Sequence, residues 1–221
     1  MELESMESVR PDGGPRPREP VNNIVIVGAM GSGKSSVGWL VARNLGFGFI
    51  DLDERIERSE KMGINQIFAE KGEGYFRGVE KQMIESLRGI RGHVIATGGG
   101  AVVDDDNWEM FREMGVTVWL STSAHEVARR LVGSETELKK RPLLAELLEE
   151  SDLRTRQKLL AERLSALIGQ RQARYKQADV VLEDSFSTAE STAKQLASAL
   201  KEEGYVRPQR EDGPLDRWGT L

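Results

Sequence analysis

An apolar, β-branched run, Ile24-Val25-Ile26-Val27, passes directly into Gly28-Ala29-Met30-Gly31-Ser32-Gly33-Lys34-Ser35 and then into a helical pattern. Glycines at these positions let several backbone N–H groups converge on one anion, and the helix that follows adds the positive end of its dipole. Lys34 is placed to neutralise charge between the β- and γ-phosphates of a nucleotide, and the Ser35 hydroxyl offers Mg²⁺ a hard oxygen ligand. Strand, G-x-x-x-x-G-K-S and helix in that order predict a phosphate loop. Gly28, Gly31, Ser32, Gly33, Lys34, Ser35 and Ser36 would then hold ATP or GTP. The competing reading is a glycine-rich turn with no ligand. No Asn-Lys-x-Asp motif for reading guanine occurs, which favours ATP.

The 221 residues suit one α/β domain of roughly 180 residues with tails. Strand-like runs lie at Asn23–Val27, Phe49–Asp51, His93–Thr97, Val116–Leu120 and Ala178–Leu182. Helical patterns fill the gaps. Val37, Leu40, Val41 and Leu45 form a stripe stopped by Gly46, and a longer stripe from Gly63 to Leu87 is interrupted around Gly72 and Gly74. Asp104 to Asp106 precede a further amphipathic run to Met114 and read as helix-starting acids rather than a metal site. Alternating strands and helices predict a parallel sheet covered on both faces, with ligands at the carboxyl ends of its strands. Residues 1–20, with two Gly, four Pro and many charges, read as a tail, 21–203 as the domain, and 204–221 as a second tail. The four glutamates and one aspartate of the first segment argue against a transit peptide, and it has no apolar stretch of a secretory signal.

A net charge of −5 gives no general attraction to nucleic acid or to an anionic membrane, so a small-molecule partner is expected. The absence of cysteine excludes disulfides and thiol chemistry and is compatible with a cytoplasmic protein. An anionic substrate would have to be drawn by individual arginines.

Several residues fall where such a cleft should form. In Asp51-Leu52-Asp53 the alternation of an extended segment puts both carboxylates on one side, one to hold Mg²⁺ and the other to accept a hydrogen bond from the hydroxyl being phosphorylated. The alternative is a strand end followed by a helix cap. Gly98-Gly99-Gly100 offers bare backbone to a substrate. Arg77 lies on a helix leaning toward the same cleft, although a lone helical arginine is ordinarily solvated. Lys139-Lys140-Arg141-Pro142-Leu143-Leu144 follows a polar stretch, Gly133 to Glu137, that reads as exposed and mobile, in the manner of a lid over phosphates. Arg171 and Arg174 stand near the end of a long helix, where complementing its dipole would also account for them.

Together the phosphate loop, Asp51-Leu52-Asp53, Phe76-Arg77, Ala96-Thr97-Gly98-Gly99-Gly100, Arg141-Pro142-Leu143-Leu144 and Arg171 ahead of Tyr175 resemble the shikimate kinase family in order and rough spacing, from Asn22 to about Leu200. The resemblance implies a three-layer P-loop fold of the nucleoside monophosphate kinase type with a five-stranded parallel sheet. It implies transfer of the γ-phosphoryl group of ATP, with Mg²⁺, to the 3-hydroxyl of shikimate, by a cytoplasmic, monomeric enzyme of the aromatic amino acid pathway with no nucleic-acid or membrane partner. Carried over residue by residue, Lys34, Asp53 and Arg141 are catalytic. Ser35 and Asp51 serve the metal. Arg77, Arg171, Asp53 and the backbone of Gly98, Gly99 and Gly100 hold shikimate, and Arg141 meets the phosphates from a lid at about 132–145. Arg130 is the candidate for stacking on adenine, with Arg129 as its rival, and Arg174 is a rival to Arg171. The chain departs from the family in a longer lid and a longer stretch between Leu144 and Arg171. Gluconate kinase, which also phosphorylates a carboxylate-bearing polyol, is the nearest enzymatic alternative, and a nucleotide-switched regulator is the non-catalytic one.

Overall fold

A computed structural model describes residues 23–139, 141, 143–184 and 188–206. The expected first tail, most of the second, and Lys140 and Pro142 of the lid lie outside these residues.

β1 (Asn23–Val27) is buried along its whole length, as its unbroken apolar run requires of a strand covered on both faces. It is the middle strand of a five-stranded sheet with β2 (Gly48–Asp51), β3 (His93–Ala96), β4 (Val116–Thr122) and β5 (Val180–Asp184), in the order β2-β3-β1-β4-β5. Every pairing is parallel. The expected strands are all present, with shifted ends at β2, β3, β4 and β5. β5 starts two residues later than Ala178 because the Asp179 carboxylate accepts from both the backbone N–H and the hydroxyl of Thr117, which pins the chain before its ladder begins.

Eight α-helices are described: α1 (Lys34–Leu45), α2 (Leu52–Glu60), α3 (Ile64–Ser86), α4 (Asp105–Met114), α5 (Ala124–Leu131), α6 (Glu135–Lys139), α7 (Leu153–Tyr175) and α8 (Ala189–Glu202). Helices α1 and α8 cover one face of the sheet, where Val37, Val41, Leu196 and Leu200 meet Ile24, Ile26 and Val118. The other face packs Val25, Val27 and Ile95 against Trp108 and Phe111 of α4, Ile84 of α3 and Tyr175 of α7. Gly72 interrupts α3 with a left-handed φ of 81°, as the broken stripe predicts, whereas Gly74 stays helical. Asp104 caps α4 by accepting from the Asn107 N–H, the helix-start role expected of that acid.

Two smaller apolar clusters stand apart from the sheet. Ile56, Ile67 and Phe76 join α2 to α3, while Leu138 and Leu144 of the lid segment pack with Val127, Leu131, Leu160 and Leu164 of α5 and α7. Of the stretch Gly133 to Glu137 expected to be exposed and mobile, Glu135 to Glu137 enter α6, and Leu138 directly after it is completely buried. The second expected tail is also corrected at its start. Tyr205 and Val206 are buried in the cluster under α1 and α8, so the domain runs at least to Val206.

The strand order fixes where a ligand can lie. The chain leaves β1 toward α1 on one face and leaves β3 toward α4 on the other, so a crevice opens between the carboxyl ends of these neighbouring strands. At the opposite end the Asn23 side chain ties three segments together, donating to the carbonyls of Ile90 and Met114 and accepting from the His93 N–H. Asn23→Ala leaves these backbone groups without a partner. The expected cost is on the order of 3 kcal/mol, seen as a fall in Tm of about 6–12 °C with turnover little changed.

Candidate active site

The phosphate loop occupies the end of β1, and the first turn of α1 begins at Lys34 itself. The Lys34 ammonium is 8% exposed and donates to the carbonyls of Gly28 at 3.0 Å and Ala29 at 2.8 Å. Burial pulls its pKa down to about 8, against the raising fields of Asp53 and Asp51 and with help from the positive charges of Arg141 and Arg171. These four side chains come from three separate parts of the sequence, and their fields meet at one ammonium.

Inside the loop the Ser32 hydroxyl is fully buried without a hydrogen-bond partner, a polar atom aimed into a glycine cradle. That suits the loop to a phosphate oxygen. Magnesium would find one hydroxyl at Ser35 and one carboxylate at Asp51, a hard-oxygen pair of the kind it uses alongside phosphate oxygens and water. Among the described residues no cluster of three His, Cys, Asp or Glu side chains forms a metal cage.

The Asp51-Leu52-Asp53 geometry differs from the expected extended segment. Asp51 ends β2 and caps α2, its Oδ1 accepting from the N–H groups of Asp53 and Glu54, while Leu52 already starts the helix and is fully buried. The two carboxylates share the cleft because a strand end and a helix first turn adjoin there, and period-two alternation plays no part. Burial pushes the Asp53 carboxyl up to about 6, with the charge of Asp51 adding and Lys34 opposing.

Gly98, Gly99 and Gly100 each meet a different obstacle to a side chain. A Cβ would lie 2.8 Å from Glu80 Oε1 at Gly98, 2.9 Å from the Met30 nitrogen at Gly99 and 2.6 Å from Arg77 Nη2 at Gly100. The turn is thus wedged between the phosphate loop and α3. Arg77 donates from Nη1 to Glu80 Oε2 at 2.7 Å, and from Nε and Nη2 to Glu73. Glu80 is almost fully buried, and its Oε1 has no hydrogen-bond partner. Burial raises its pKa, with the guanidinium of Arg77 opposing.

On the other side Arg171 Nη1 donates to the Gly99 carbonyl at 3.0 Å. Its rival Arg174 is turned away, paired with Asp105 and lying over the Trp108 ring. The structure thus brings Arg77 and Arg171 to the triple glycine and leaves Arg174 holding α7 against α4.

Glu126 holds the two other rivals, accepting from Arg129 Nε and Nη2 and from Arg130 Nε. Hydrogen bonding to Arg129, reinforced by Arg130, pulls its carboxyl down to about 2. Arg130 also reaches the Ser32 carbonyl with Nη1 at 3.4 Å, against the phosphate loop, whereas the Arg129 side chain is 60% exposed. Arg141 donates to the Glu137 carboxylate at 2.9 Å and to the Glu137 carbonyl.

Glu80 and Glu126 were absent from the sequence reading. Each had a signal, since each is an acid three residues before or after an arginine on a helix, and Glu80 also sits four residues after Phe76 along an apolar stripe.

The sequence profile of shikimate kinases matches residues 30–201. The chain belongs to the shikimate kinase family. The shikimate kinase of Geobacter sulfurreducens is 37% identical over 180 residues, covering 81% of this chain and 91% of that protein. The shikimate kinase of Persephonella marina is 47% identical over 124 residues, 56% of this chain and 73% of its own. Among solved structures, the Acinetobacter baumannii shikimate kinase in complex with shikimate superposes with a TM-score of 0.71 at 30% identity, over 83% of this chain and 95% of that one. As a shikimate kinase the protein is an ATP-dependent phosphotransferase, and its five-stranded parallel sheet is the P-loop fold of that family.

The Asp53 carboxyl has a folded value of about 6 against an ordinary 3.8. Between those values the folded protein keeps a proton that the unfolded chain releases, so this group makes stability fall as pH rises through that window. In urea unfolding Asp53→Asn should exceed the parent in stability at about pH 7.5, and the difference should shrink by about pH 4.5.

Proposed function

We propose that this shikimate kinase carries the γ-phosphoryl group of ATP to the 3-hydroxyl of shikimate in the crevice between β1 and β3, with Arg77 and Arg171 gripping the ring carboxylate beside the triple glycine. The observation that carries this reading is the convergence of two guanidinium groups on Gly99 and Gly100 next to the phosphate loop. An arginine fork matches a carboxylate, and bare glycine backbone lets a ring lie flat against it.

Phosphoryl transfer runs through a loose transition state, so alignment and charge neutralisation outweigh base strength. Asp53 accepts a hydrogen bond from the 3-hydroxyl and takes its proton late, as the oxygen–phosphorus bond forms and ADP departs with the old one. A carboxyl near pKa 6 is ionised at neutral pH yet basic enough to receive that proton. Lys34 exchanges its carbonyl partners for phosphate oxygens, and the nucleotide's negative charge restores its proton. Arg141 comes from the lid segment to the transferring group after releasing Glu137. Arg130 lies along the adenine, with Glu126 fixing its plane. When bound through Ser35 and the Asp51 side, Mg²⁺ supplies charge neutralisation on the phosphates.

The enzyme works as a cytoplasmic monomer on small molecules alone. A net charge of −5 gives no general attraction to nucleic acid or to an anionic membrane.

A coupled ADP-release assay with ATP, Mg²⁺ and shikimate, run beside gluconate, tests the acceptor, and activity on gluconate alone would overturn it. Arg141→Ala should lower turnover by on the order of 10³-fold with ATP affinity nearly unchanged. Arg77→Ala and Arg171→Ala should each weaken shikimate binding by roughly 1.5–3 kcal/mol, measured by titration calorimetry, with the ATP site intact.

A further inference from the structure

Tyr175 is the last residue of α7, one turn beyond Arg171, and its side chain is fully buried. Its ring stacks on Trp119 with centroids 5.6 Å apart and planes 15° from parallel, so the phenol has a fixed direction. The hydroxyl donates to the Gly99 carbonyl at 3.0 Å, the same oxygen that accepts from Arg171 at 3.0 Å. A carbonyl oxygen has two lone pairs, and here two side chains of one helix take both. Burial raises the pKa of this phenol above its ordinary value, so it keeps its proton and remains a donor.

We infer that Tyr175 is a positioning residue for the acceptor site, setting both the Gly99–Gly100 peptide plane and the guanidinium of Arg171 through their shared carbonyl. The need for such a device follows from the turn itself. With glycine on either side the peptide between Gly99 and Gly100 has no Cβ to limit its rotation, and a flip would reverse both its carbonyl and its N–H. Holding the carbonyl toward α7 aims the trans N–H of Gly100 the opposite way. It also gives Arg171 a fixed acceptor, which leaves the rest of its planar fork directed rather than free to sweep. The inference rests on the proposed role of Arg171 in holding the shikimate carboxylate.

Tyr175→Phe keeps the stacked ring and removes only the hydroxyl. The KM for shikimate should rise about fivefold or more, with kcat within about twofold and the KM for ATP unchanged. A purely structural role would not discriminate between acceptors, so the carboxamide of shikimate serves as the control. Its KM should rise by a clearly smaller factor than that of shikimate, because the neutral amide gains less from a directed guanidinium. Equal shifts for acid and amide, an equal shift for ATP, or no shift for shikimate would each overturn the inference.

The double variant Arg171→Ala/Tyr175→Phe gives a second measure. Its shikimate KM should lie close to that of Arg171→Ala alone, and full multiplication of the two defects would count against a shared path. If Arg171→Ala itself leaves shikimate binding intact, the carboxylate grip fails and this inference falls with it. If Arg171→Ala weakens binding but Tyr175→Phe does not, only the role of Tyr175 is lost.

Discussion

The Gly99 backbone approaches the phosphate loop so closely that a methyl group there would sit 2.9 Å from the Met30 nitrogen. That contact joins the two halves of the cleft. The phosphate loop follows β1, the triple-glycine turn follows β3, and parallel neighbours in register place both at one edge of the sheet. Everything else in the site is arranged around this backbone-to-backbone seam. Arg77 presses on it from α3, and Arg171 and Tyr175 bond to it from α7. A side chain at the seam would push apart the groups that phosphoryl transfer must bring together, since displacements of about 1 Å cost a large share of an aligned reaction's advantage.

Charge in the cleft is organised as opposed pairs with unequal burial. Lys34 is deeply placed and loses basicity, Asp53 gains it, and each moderates the shift of the other. Glu80 beneath Arg77 and Glu126 beneath Arg129 and Arg130 do for the arginines what packing does for apolar groups, giving each a defined position. The charged side chains are therefore largely preset, which lowers the ordering cost when anions enter.

The sheet was legible because its strands are short apolar runs and its first turn carries a motif with one physical use. Gly46 and Gly72 were also readable as a stop and a break, since both adopt left-handed φ values. The ends of β2, β3, β4 and β5 were less so. β5 depends on a side-chain latch between Asp179 and Thr117, residues 62 apart in sequence, and no local pattern reveals it. The same holds for the site. Lys34 and the glycines follow from the loop's own chemistry, whereas choosing Arg171 over Arg174 required knowing that Asp105 and Trp108 lie beside the latter. Asp51 and Asp53 are neighbours for a reason other than the expected alternation, because a helix starting at Leu52 brings them together as a strand would. The lid looked polar and loose, and the anchoring of Leu138 and Leu144 became visible only once α5 and α7 were in place.

The small cluster of Ile56, Ile67 and Phe76 meets the sheet cluster at Met83, which packs against both, and Leu52 of α2 and Ile84 of α3 belong to the latter. Helices α2 and α3 therefore form a corner joined to the sheet, with Arg77 beside Phe76. Packing at this corner thus bears on the direction of the Arg77 guanidinium, through the ring of the residue beside it.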